Sequence, residues 1–594
     1  MKCGNCGADT AARLCEYCGS LVNEHIPAHN VPPAPPAPPK KKKFPVGGVV
    51  AILAVGALLF WVGSRMMPVG ELTHENAVKR LEALNRKITV NTPQPVRGYA
   101  DLNQDDISDA LPDIEKYPAQ VTNSTADYVE IFSSTEKAGS GTDGWLVEMA
   151  KEFNASGATV GGKRVSVMLR GISSGVGMDY IASGKYRPDA FSPSNELWGG
   201  MLEARGVSVA LAEKRLIGNV AGVLFSKKAN QELLDKYGAI TLQSVNQAVI
   251  ANEIAMGYTN PFASSAGLNY LVSTLYAFDA SNPLGDAAVG EFEKFSANVP
   301  FVAYTTLQMR ESAKSGTLNG FILEYQSYAN LPDLRADYIF TPFGVRHDSP
   351  VYEIGELSAE KKEILQQFIA FCKTDAAQRR GSQMGFNNLE EYTCDLAPDG
   401  ETVVQAQRIW KEKKNAGVDV SAVFIADISG SMQGTRLSKL KESLVKGSKF
   451  IGSNNSIGLV SFSDDVNINL PIAPFDINQR ALFTGTVQSL NCGGGTAMYD
   501  AVAVAIGMLL EEKAQNPNAK LMLFVLTDGE TNRGNRLSNL EPVLRTLGIP
   551  VHTIGYEANV SELQALSRIC EAACINADTQ DVVYTLGNLF NAEM

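Results

Sequence analysis

Histidine is scarce in this chain, which has 5 histidines among 594 residues. The sequence also lacks an H-E-x-x-H pattern, a recognisable Ser-His-Asp set and a Walker loop. These absences exclude the common motif-bearing hydrolase and nucleotide-binding sites. We therefore predict that the protein is not an enzyme.

Cysteine and basic residues are also limited. Of the 9 cysteines, four lie within the first 18 residues. The other five cannot all pair, so we do not expect a disulfide framework there. The net charge is −12 at pH 7 although residues 1–43 are basic, so the rest of the chain is strongly acidic. An acidic exterior argues against nucleic acid as a partner.

The four N-terminal cysteines form two C-x-x-C turns, each flanked by glycine. They are Cys3, Cys6, Cys15 and Cys18. Four thiolates in two such turns suit a closed tetrahedral Zn²⁺ site, and metal binding would supply the folding energy of so short a segment. Residues 1–30 therefore resemble a zinc ribbon. A disulfide pair and four unrelated thiols are the alternatives.

A membrane anchor is predicted next. The linker at 31–43 contains a proline tract, which favours a semi-rigid polyproline II spacer, with an SH3-type ligand as the alternative. Residues 44–65 begin with an uncharged apolar stretch long enough for one transmembrane helix. Because Lys40–Lys43 precede it, we expect a cytoplasmic N-terminus and extracytoplasmic C-terminal domains. Residues 66–124 are predicted to be a stalk.

Residues 125–395 alternate strand-like and helix-like stretches, joined by small, hydroxyl-bearing turns. Three turns carry the pattern: Ser173-Ser174-Gly175, Asp189 to Ser194, and Asn260 to Gly267. Backbone N–H groups at helix starts, together with serine hydroxyls, suit an anion. This organisation is similar to the bacterial solute-binding proteins that include molybdate, sulfate and phosphate binders. The resemblance implies a two-lobed type II fold with a small solute or oxyanion between the lobes.

Four serines are the candidate ligand residues of this domain: Ser134, Ser174, Ser194 and Ser265. Helix capping is the alternative role of such residues. Tyr325 is a further candidate for the cleft, with packing in the core as the alternative.

A second candidate site lies in the C-terminal domain, predicted at 417–594 after a linker at 396–416. Asp427, Ser429 and Ser431 follow an apolar strand-like stretch and precede a helical pattern, so they can converge on one point. Thr496 follows a glycine-rich turn, and Asp528 ends another apolar strand. Carboxylate and hydroxyl oxygens are ligands that suit Mg²⁺ or Mn²⁺.

These five residues match the Asp-x-Ser-x-Ser, Thr and Asp pattern of a metal-ion-dependent adhesion site, and the region resembles the von Willebrand factor A (VWA) domain. The resemblance implies a doubly wound, Rossmann-like α/β fold. It also implies that Ser429, Ser431 and Thr496 touch the metal, whereas Asp427 and Asp528 act directly or through water. The open coordination position would take a carboxylate from a protein partner.

The sequence thus predicts an α/β protein: a zinc ribbon, one membrane helix, a two-lobed solute-binding-like domain and a VWA domain. The preferred function is a membrane-anchored surface protein that recognises an acidic side chain through Mg²⁺. The alternative is a solute receptor of a transport or sensing system, in which the VWA domain assembles the complex. An enzymatic role by analogy with metal-chelatase complexes has no supporting motor or chelating segment.

Overall fold

A computed structural model describes most of the chain from residue 72 onward. The described residues are 72–99, 111–299, 301–303, 309, 318–415, 418–529, 531–556, 560–570, 572, 574–576 and 582–593. The predicted zinc cysteines, the proline-rich linker and the predicted membrane helix lie outside these residues. Among the helices that are described, none has the length and apolar character needed to cross a membrane.

The first described segment forms a helix and a short strand. Helix α1 spans His74–Asn85, and strand β1 spans Val90–Asn91. Ala77 and Leu81, four residues apart on one face of α1, are buried. This spacing is the amphipathic pattern of a helix that needs a packing partner.

That packing partner is the C-terminal domain. Leu81 belongs to a core cluster of that domain, and β1 pairs in parallel with a later strand, placing Val90 beside Val466. Gly98 N donates a hydrogen bond to Ala481 O (2.8 Å). Residues 72–99 are therefore an integral part of the C-terminal domain. The prediction of a stalk over residues 66–124 is wrong for this stretch.

The middle domain contains two lobes. Its strands are β2 (Asp127–Ser133), β3 (Thr159–Val160), β4 (Lys163–Gly171), β5 (Ala190–Ser192), β6 (Val209–Glu213), β7 (Val220–Ser226), β8 (Met256–Thr259), β9 (Phe301–Ala303), β10 (Gly320–Glu324), β11 (Tyr338–Arg346) and β12 (Val351–Ile354). Its helices are α2 (Trp145–Ser156), α3 (Ser174–Ser183), α4 (Leu197–Ala204), α5 (Lys227–Tyr237), α6 (Leu242–Ile250), α7 (Ser265–Phe278), α8 (Asp286–Ala297), α9 (Tyr325–Ala329), α10 (Pro332–Asp337), α11 (Ala359–Cys372) and α12 (Asp375–Gln383).

Each lobe is built on its own sheet. Lobe 1 has the strand order β3-β4-β2-β5-β12-β6, and lobe 2 has the order β11-β7-β10-β8-β9. In lobe 1, β4, β2 and β5 are parallel neighbours, so their carboxyl ends lie at one edge. The turns that follow these strands carry three of the four predicted ligand serines.

The predicted linker at 396–416 contains a helix that contacts both lobes. Helix α13 spans Gly400–Lys413. The backbone of Gly400 lies so close to that of Gly200 in lobe 1 that a Cβ on Gly400 would collide with the Gly200 carbonyl. On lobe 2, Trp410 Nε1 donates to the Tyr258 hydroxyl (2.8 Å). The segment therefore lies across the two lobes and is not a free spacer.

The C-terminal domain is a sheet with helices on both faces. Its strands are β13 (Val420–Asp427), β14 (Ser456–Phe462), β15 (Val466–Pro474), β16 (Lys520–Thr527), β17 (Val551–Gly555) and β18 (Cys574–Asn576). Its helices are α14 (Thr435–Gly447), α15 (Ile477–Ser489), α16 (Met498–Gln515), α17 (Leu537–Leu547), α18 (Val560–Ser567) and α19 (Val582–Glu593). The sheet order is β1-β15-β14-β13-β16-β17-β18.

Strand β13 lies in the interior of this sheet. It pairs in parallel with β14 on one side and with β16 on the other. Alternate residues enter two different core clusters, with Phe424 in one and Ile425 in the other. A strand buried on both faces reads as a continuous apolar run, which explains the sequence from Val420 to Ala426. The predicted α/β fold class is confirmed.

Candidate functional site

The five predicted metal-site residues belong to turns at the carboxyl edge of the C-terminal sheet. Asp427 is the last residue of β13, and Asp528 follows the last residue of β16. The chain leaves β13 for β14 on one side, whereas β16 lies on the other side, so the strand order reverses here. Open α/β sheets form a crevice at such a switch point.

Asp427 is a buried carboxylate held by two hydrogen bonds. Its Oδ1 accepts from Ser429 N (2.8 Å), and its Oδ2 accepts from the Thr527 hydroxyl (2.5 Å). Burial raises the pKa of the Asp427 carboxyl to about 6, and the negative charge of Asp528 acts in the same direction. The fold thus holds this carboxylate in an environment that disfavours its charge, which a bound cation would relieve.

Three further oxygens beside Asp427 are joined by hydrogen bonds. The hydroxyl of Ser429 lies 3.0 Å from that of Ser431, and the Ser431 hydroxyl donates to Asp528 Oδ1 (3.0 Å). Mg²⁺ binds oxygen at about 2.1 Å in octahedral geometry, which separates neighbouring ligand oxygens by about 3 Å. The spacing and the hard-oxygen chemistry of these residues fit such an ion.

Thr496 lies on a neighbouring glycine-rich turn, which is hydrogen-bonded to the Asp-x-Ser-x-Ser turn. Gly493 N donates to Ile428 O (2.8 Å), and Gly430 N donates to Gly494 O (3.0 Å). Gly494 adopts a φ of +82°, a backbone conformation that favours glycine. The two turns are therefore joined through their backbones, with Thr496 buried beside them.

Asn532 was not a predicted site residue, yet it joins two parts of the site. Its side-chain oxygen accepts from Thr496 N (2.9 Å), and its own N donates to Thr496 O (3.1 Å). This reciprocal pair ties the Thr496 turn to the loop that follows Asp528. An asparagine in a polar loop gives no signal of such a role in the sequence.

Two arginines at the site were also not predicted. Arg436 Nη1 donates to Asp528 Oδ2 (3.1 Å) and to Ser431 O (3.0 Å). Arg533 pairs with Asp464 (2.8 Å) at the rim of the site. Arg436 lies in the first turn of α14, where the helix dipole disfavours a positive charge. That unfavourable placement is the sequence signal that could have identified it.

The four serines predicted for the solute-binding-like domain are all buried where the lobes meet. The Ser265 hydroxyl of lobe 2 donates to the Ser174 hydroxyl of lobe 1 (3.0 Å), and Ser194 N donates to Ser174 Oγ (3.4 Å). The Ser134 hydroxyl accepts from Lys137 Nζ (2.6 Å). Three of the four serines are therefore in direct contact, and Ser134 is joined to Lys137.

The predicted ligand residues do not include the charged groups around these serines, although Glu136 and Lys137 are visible in the first loop of the sequence. Lys137 Nζ also donates to Ser192 O (2.8 Å). In lobe 2, His347 Nδ1 lies 2.8 Å from Glu324 Oε1, and both residues are fully buried. Burial and the charge of Glu324 raise the pKa of Glu136 to about 7. The charged residues beside the four serines therefore include two buried or half-buried carboxyl groups, Glu136 and Glu324.

Tyr325 packs against other aromatic side chains, which agrees with the alternative that it is a packing residue and not a cleft residue. Its ring lies 5.7 Å from that of Tyr328 and 5.1 Å from that of Phe340. Four cysteines are free thiols: Cys372, which is buried, Cys394, which is exposed, and the half-buried Cys492 and Cys574.

Comparison with known proteins agrees with these two folds. Residues 422–592 match the family model described as von Willebrand factor type A domain. Residues 137–387 match the model described as bacterial extracellular solute-binding protein. The chain therefore contains a VWA domain and a bacterial solute-binding-like domain.

Curated relatives match only part of the chain. The inter-alpha-trypsin inhibitor heavy chain H3 of Bos taurus is 28% identical over 155 residues, which cover 24% of this chain and 17% of the relative. The collagen alpha-5(VI) chain of Homo sapiens is 28% identical over 154 residues, covering 25% of this chain and 6% of the relative. The chain thus spans less than a fifth of the length of these relatives.

Solved structures resemble each domain separately. A periplasmic thiamin binding protein covers 50% of this chain and 98% of its own length, with 14% identity and a TM-score of 0.37. A von Willebrand factor type A protein from Catenulispora acidiphila covers 29% of this chain and 42% of its own, with 19% identity and a TM-score of 0.27. Likenesses this low carry no argument about function.

Proposed function

We propose that the VWA domain is a metal-dependent recognition module that binds an acidic side chain of a protein partner. The observation that carries this proposal is that the oxygens of Ser429, Ser431 and Asp528 are joined in sequence by two contacts of 3.0 Å, the separation of neighbouring ligands on an octahedral ion, beside the buried Asp427 carboxylate. Mg²⁺ or Mn²⁺ would neutralise the carboxylates and offer an open position to the partner's carboxylate.

The surrounding residues support binding rather than hydrolysis. Asp427 is held by Ser429 N and Thr527, and Asp528 is held by Arg436. These contacts orient the two carboxylates towards one point without presenting a nucleophile. The positive charge of Arg436 would also favour an acidic group on the partner over a basic one.

We further propose that the protein acts outside the cytoplasm as a membrane-anchored surface protein. The family description of residues 137–387 as an extracellular solute-binding protein supports the location. The apolar stretch within residues 44–65 and the preceding lysines support an anchor with a cytoplasmic N-terminus. The N-terminal cysteines Cys3, Cys6, Cys15 and Cys18 would hold Zn²⁺ in that reducing compartment.

The metal site is tested by calorimetric titration of MgCl₂ and MnCl₂ into the chelator-treated full chain. We expect saturable binding that is lost in Ser429→Ala and Thr496→Ala. Ser438→Ala is the matched control, because Ser438 is an exposed serine on α14 whose hydroxyl only bonds Gly434 O. Equal binding by all four proteins would contradict the proposed metal site.

The partner group is tested with a short peptide that carries one glutamate, against the same peptide with glutamine. We expect the glutamate peptide to bind only when Mg²⁺ is present and only when Asp427 is intact. Metal-independent binding, or equal binding of both peptides, would contradict the proposal that the domain recognises an acidic side chain through a bound metal ion.

A second candidate function is solute binding between the two lobes. The specific observation is that Ser174, Ser194 and Ser265, from separate turns of both lobes, meet in direct contact. Asn195 Oδ1, in the turn after Ser194, is a buried acceptor with no hydrogen-bond partner. Such an atom costs about 1–3 kcal/mol unless a ligand or water satisfies it.

A further inference from the structure

Six buried or half-buried polar residues form what we name the inter-lobe cluster. They are Glu136, Lys137 and Asn195 of lobe 1 and Asn269, Glu324 and His347 of lobe 2. Hydrogen bonds cross between the lobes here, since Asn195 Nδ2 lies 3.2 Å from His347 Nε2. The charges of Glu136 and Glu324 both act on Lys137. The cluster is therefore one electrostatic unit shared by both lobes.

The N–H donors of this cluster are already used within the protein. Lys137 Nζ makes three hydrogen bonds, to Ser134 Oγ (2.6 Å), Ser192 O (2.8 Å) and Pro193 O (3.3 Å). An ammonium group has only three hydrogens, so Lys137 has no N–H left for a ligand.

The side-chain N–H groups of the histidine and the two asparagines also make hydrogen bonds within the protein. His347 Nδ1 faces Glu324, so the single lone pair of its Nε2 is shared by the side-chain amides of Asn195 and Asn269, each 3.2 Å away. The second amide hydrogen of Asn195 goes to Ser265 O (3.1 Å), and that of Asn269 goes to Val345 O (2.8 Å). The side chains of this cluster therefore have no unused N–H group to offer an oxyanion, which only accepts hydrogen bonds.

The side-chain atoms of the cluster that a ligand could still use are hydrogen-bond acceptors. Because Asn195 Nδ2 must donate to Ser265 O, the orientation of this amide is fixed, and its Oδ1 is left buried without a partner. Two carboxylates, Glu136 and Glu324, face a single ammonium group. Burial and the charge of Glu324 raise the pKa of Glu136, as expected where negative charge is incompletely compensated.

We propose that the inter-lobe cluster binds a small organic cation, an ammonium or amidinium group, whose N–H bonds reach Asn195 Oδ1 and whose charge is balanced by Glu136 and Glu324. The inference rests on the second candidate function and replaces the oxyanion expected from the serine turns. Entry requires the lobes to separate, because Ser174 and Ser265 are in direct contact across them.

The test is calorimetry on the chelator-treated full chain at pH 8 with six probes. Methylammonium, putrescine and arginine are the cations, and sulfate, phosphate and molybdate are the oxyanions. We expect at least one cation to bind and the oxyanions not to bind. Glu136→Gln should weaken cation binding by about tenfold or more, the size expected for a lost charge-assisted hydrogen bond. Glu291→Gln, an exposed acidic residue of lobe 2 paired with Lys294, is the matched control and should bind like the unchanged protein.

The outcomes separate this inference from the functions it builds on. Binding of an oxyanion but of no cation would overturn the charge class while leaving solute binding intact. Binding of none of the six probes would overturn both, without bearing on the metal site of the VWA domain. Cation binding that is unchanged in Glu136→Gln and in Glu324→Gln would place the bound probe elsewhere and overturn the proposal. Thermal unfolding of each variant checks that it is folded.

Discussion

Replacing Asp427 by asparagine should stabilise the metal-free protein while abolishing its response to metal. Asparagine keeps the size and planarity of the side chain. Its oxygen can still accept from Ser429 N, and its amide can donate to the Thr527 hydroxyl, which now accepts. The charge alone is lost. Most substitutions of a buried polar residue destabilise a protein, so a gain in stability would be a specific result.

The expected gain follows from the pKa of Asp427. Folding raises this pKa from 3.8 to about 6. Between these pH values the folded state binds more protons than the unfolded state, so the free energy of unfolding falls as the pH rises. Above pH 6 the full penalty is present, about 3 kcal/mol at 1.36 kcal/mol per pKa unit. Asp427→Asn should recover up to about this amount at pH 7.5 in chelator, and little at pH 4.

This effect is measured by urea unfolding of the full chain at both pH values. Each measurement is made once with chelator and once with about 5 to 10 mM Mg²⁺, a concentration suited to a weak site. The unchanged protein should gain stability with Mg²⁺, whereas Asp427→Asn should not. If Asp427→Asn is less stable than the unchanged protein in chelator at pH 7.5, the carboxylate is not a desolvated ligand awaiting a cation, and the reasoning fails.

Two further predictions concern packing and buried histidine. Leu81→Ala should destabilise the C-terminal domain by about 2–5 kcal/mol in urea unfolding, because Leu81 is buried in its core. The control is Glu82→Ala, at an exposed position of the same helix. If Leu81→Ala has no larger effect than this control, residues 72–99 are not part of that domain. Burial lowers the pKa of His552 to about 3. Below pH 6.5 this histidine is therefore protonated in the unfolded state but not in the folded state. As the pH falls, the free energy of unfolding should fall by about 1.4 kcal/mol per pH unit. Urea unfolding at pH 6.5 and pH 5 should show a shallower fall in His552→Phe, and an identical fall would refute this assignment.

The two aspartates of the candidate metal site could be placed at the sheet edge because each ends an apolar run that is visible locally, whereas Thr496 was identified by the glycine-rich turn before it. Asp427 and Asp528 end the neighbouring parallel strands β13 and β16, and parallel strands bring their carboxyl ends together. The position of Arg436 in the first turn of a helix is visible in the sequence, but its contact with Asp528 is not, since that contact depends on how α14 is oriented after the turn.

The inter-lobe charges illustrate a second limit. Glu136 and Glu324 lie far apart in the sequence, and each has an unremarkable local context. Glu136 is adjacent to Lys137 in the sequence, and the contact of the two lobes brings the Glu324 carboxylate to the same ammonium group. The serine turns near them indicated an anion because helix starts expose N–H groups, but the fold uses nearby N–H donors internally.

Residues 72–99 show most directly that a packing partner far away in the sequence cannot be predicted from local pattern. The helical periodicity of α1 was visible in the sequence, but its packing partner was not. A short exposed strand such as β1 has no pattern that identifies the strand beside which it lies. The stalk prediction was therefore reasonable locally and wrong in tertiary structure.

The pairing of β1 with β15 also constrains how this protein is made. Asn91 and its partner Asn467 are separated by 376 residues. At 5–20 residues per second, roughly 20 to 75 s of synthesis pass between them. During that time α1 and β1 have no native surface to cover, whereas the solute-binding-like domain between them can already fold. Completion of the VWA domain is therefore the last folding event, and a chain interrupted before β15 would leave its first helix exposed to chaperones and proteases.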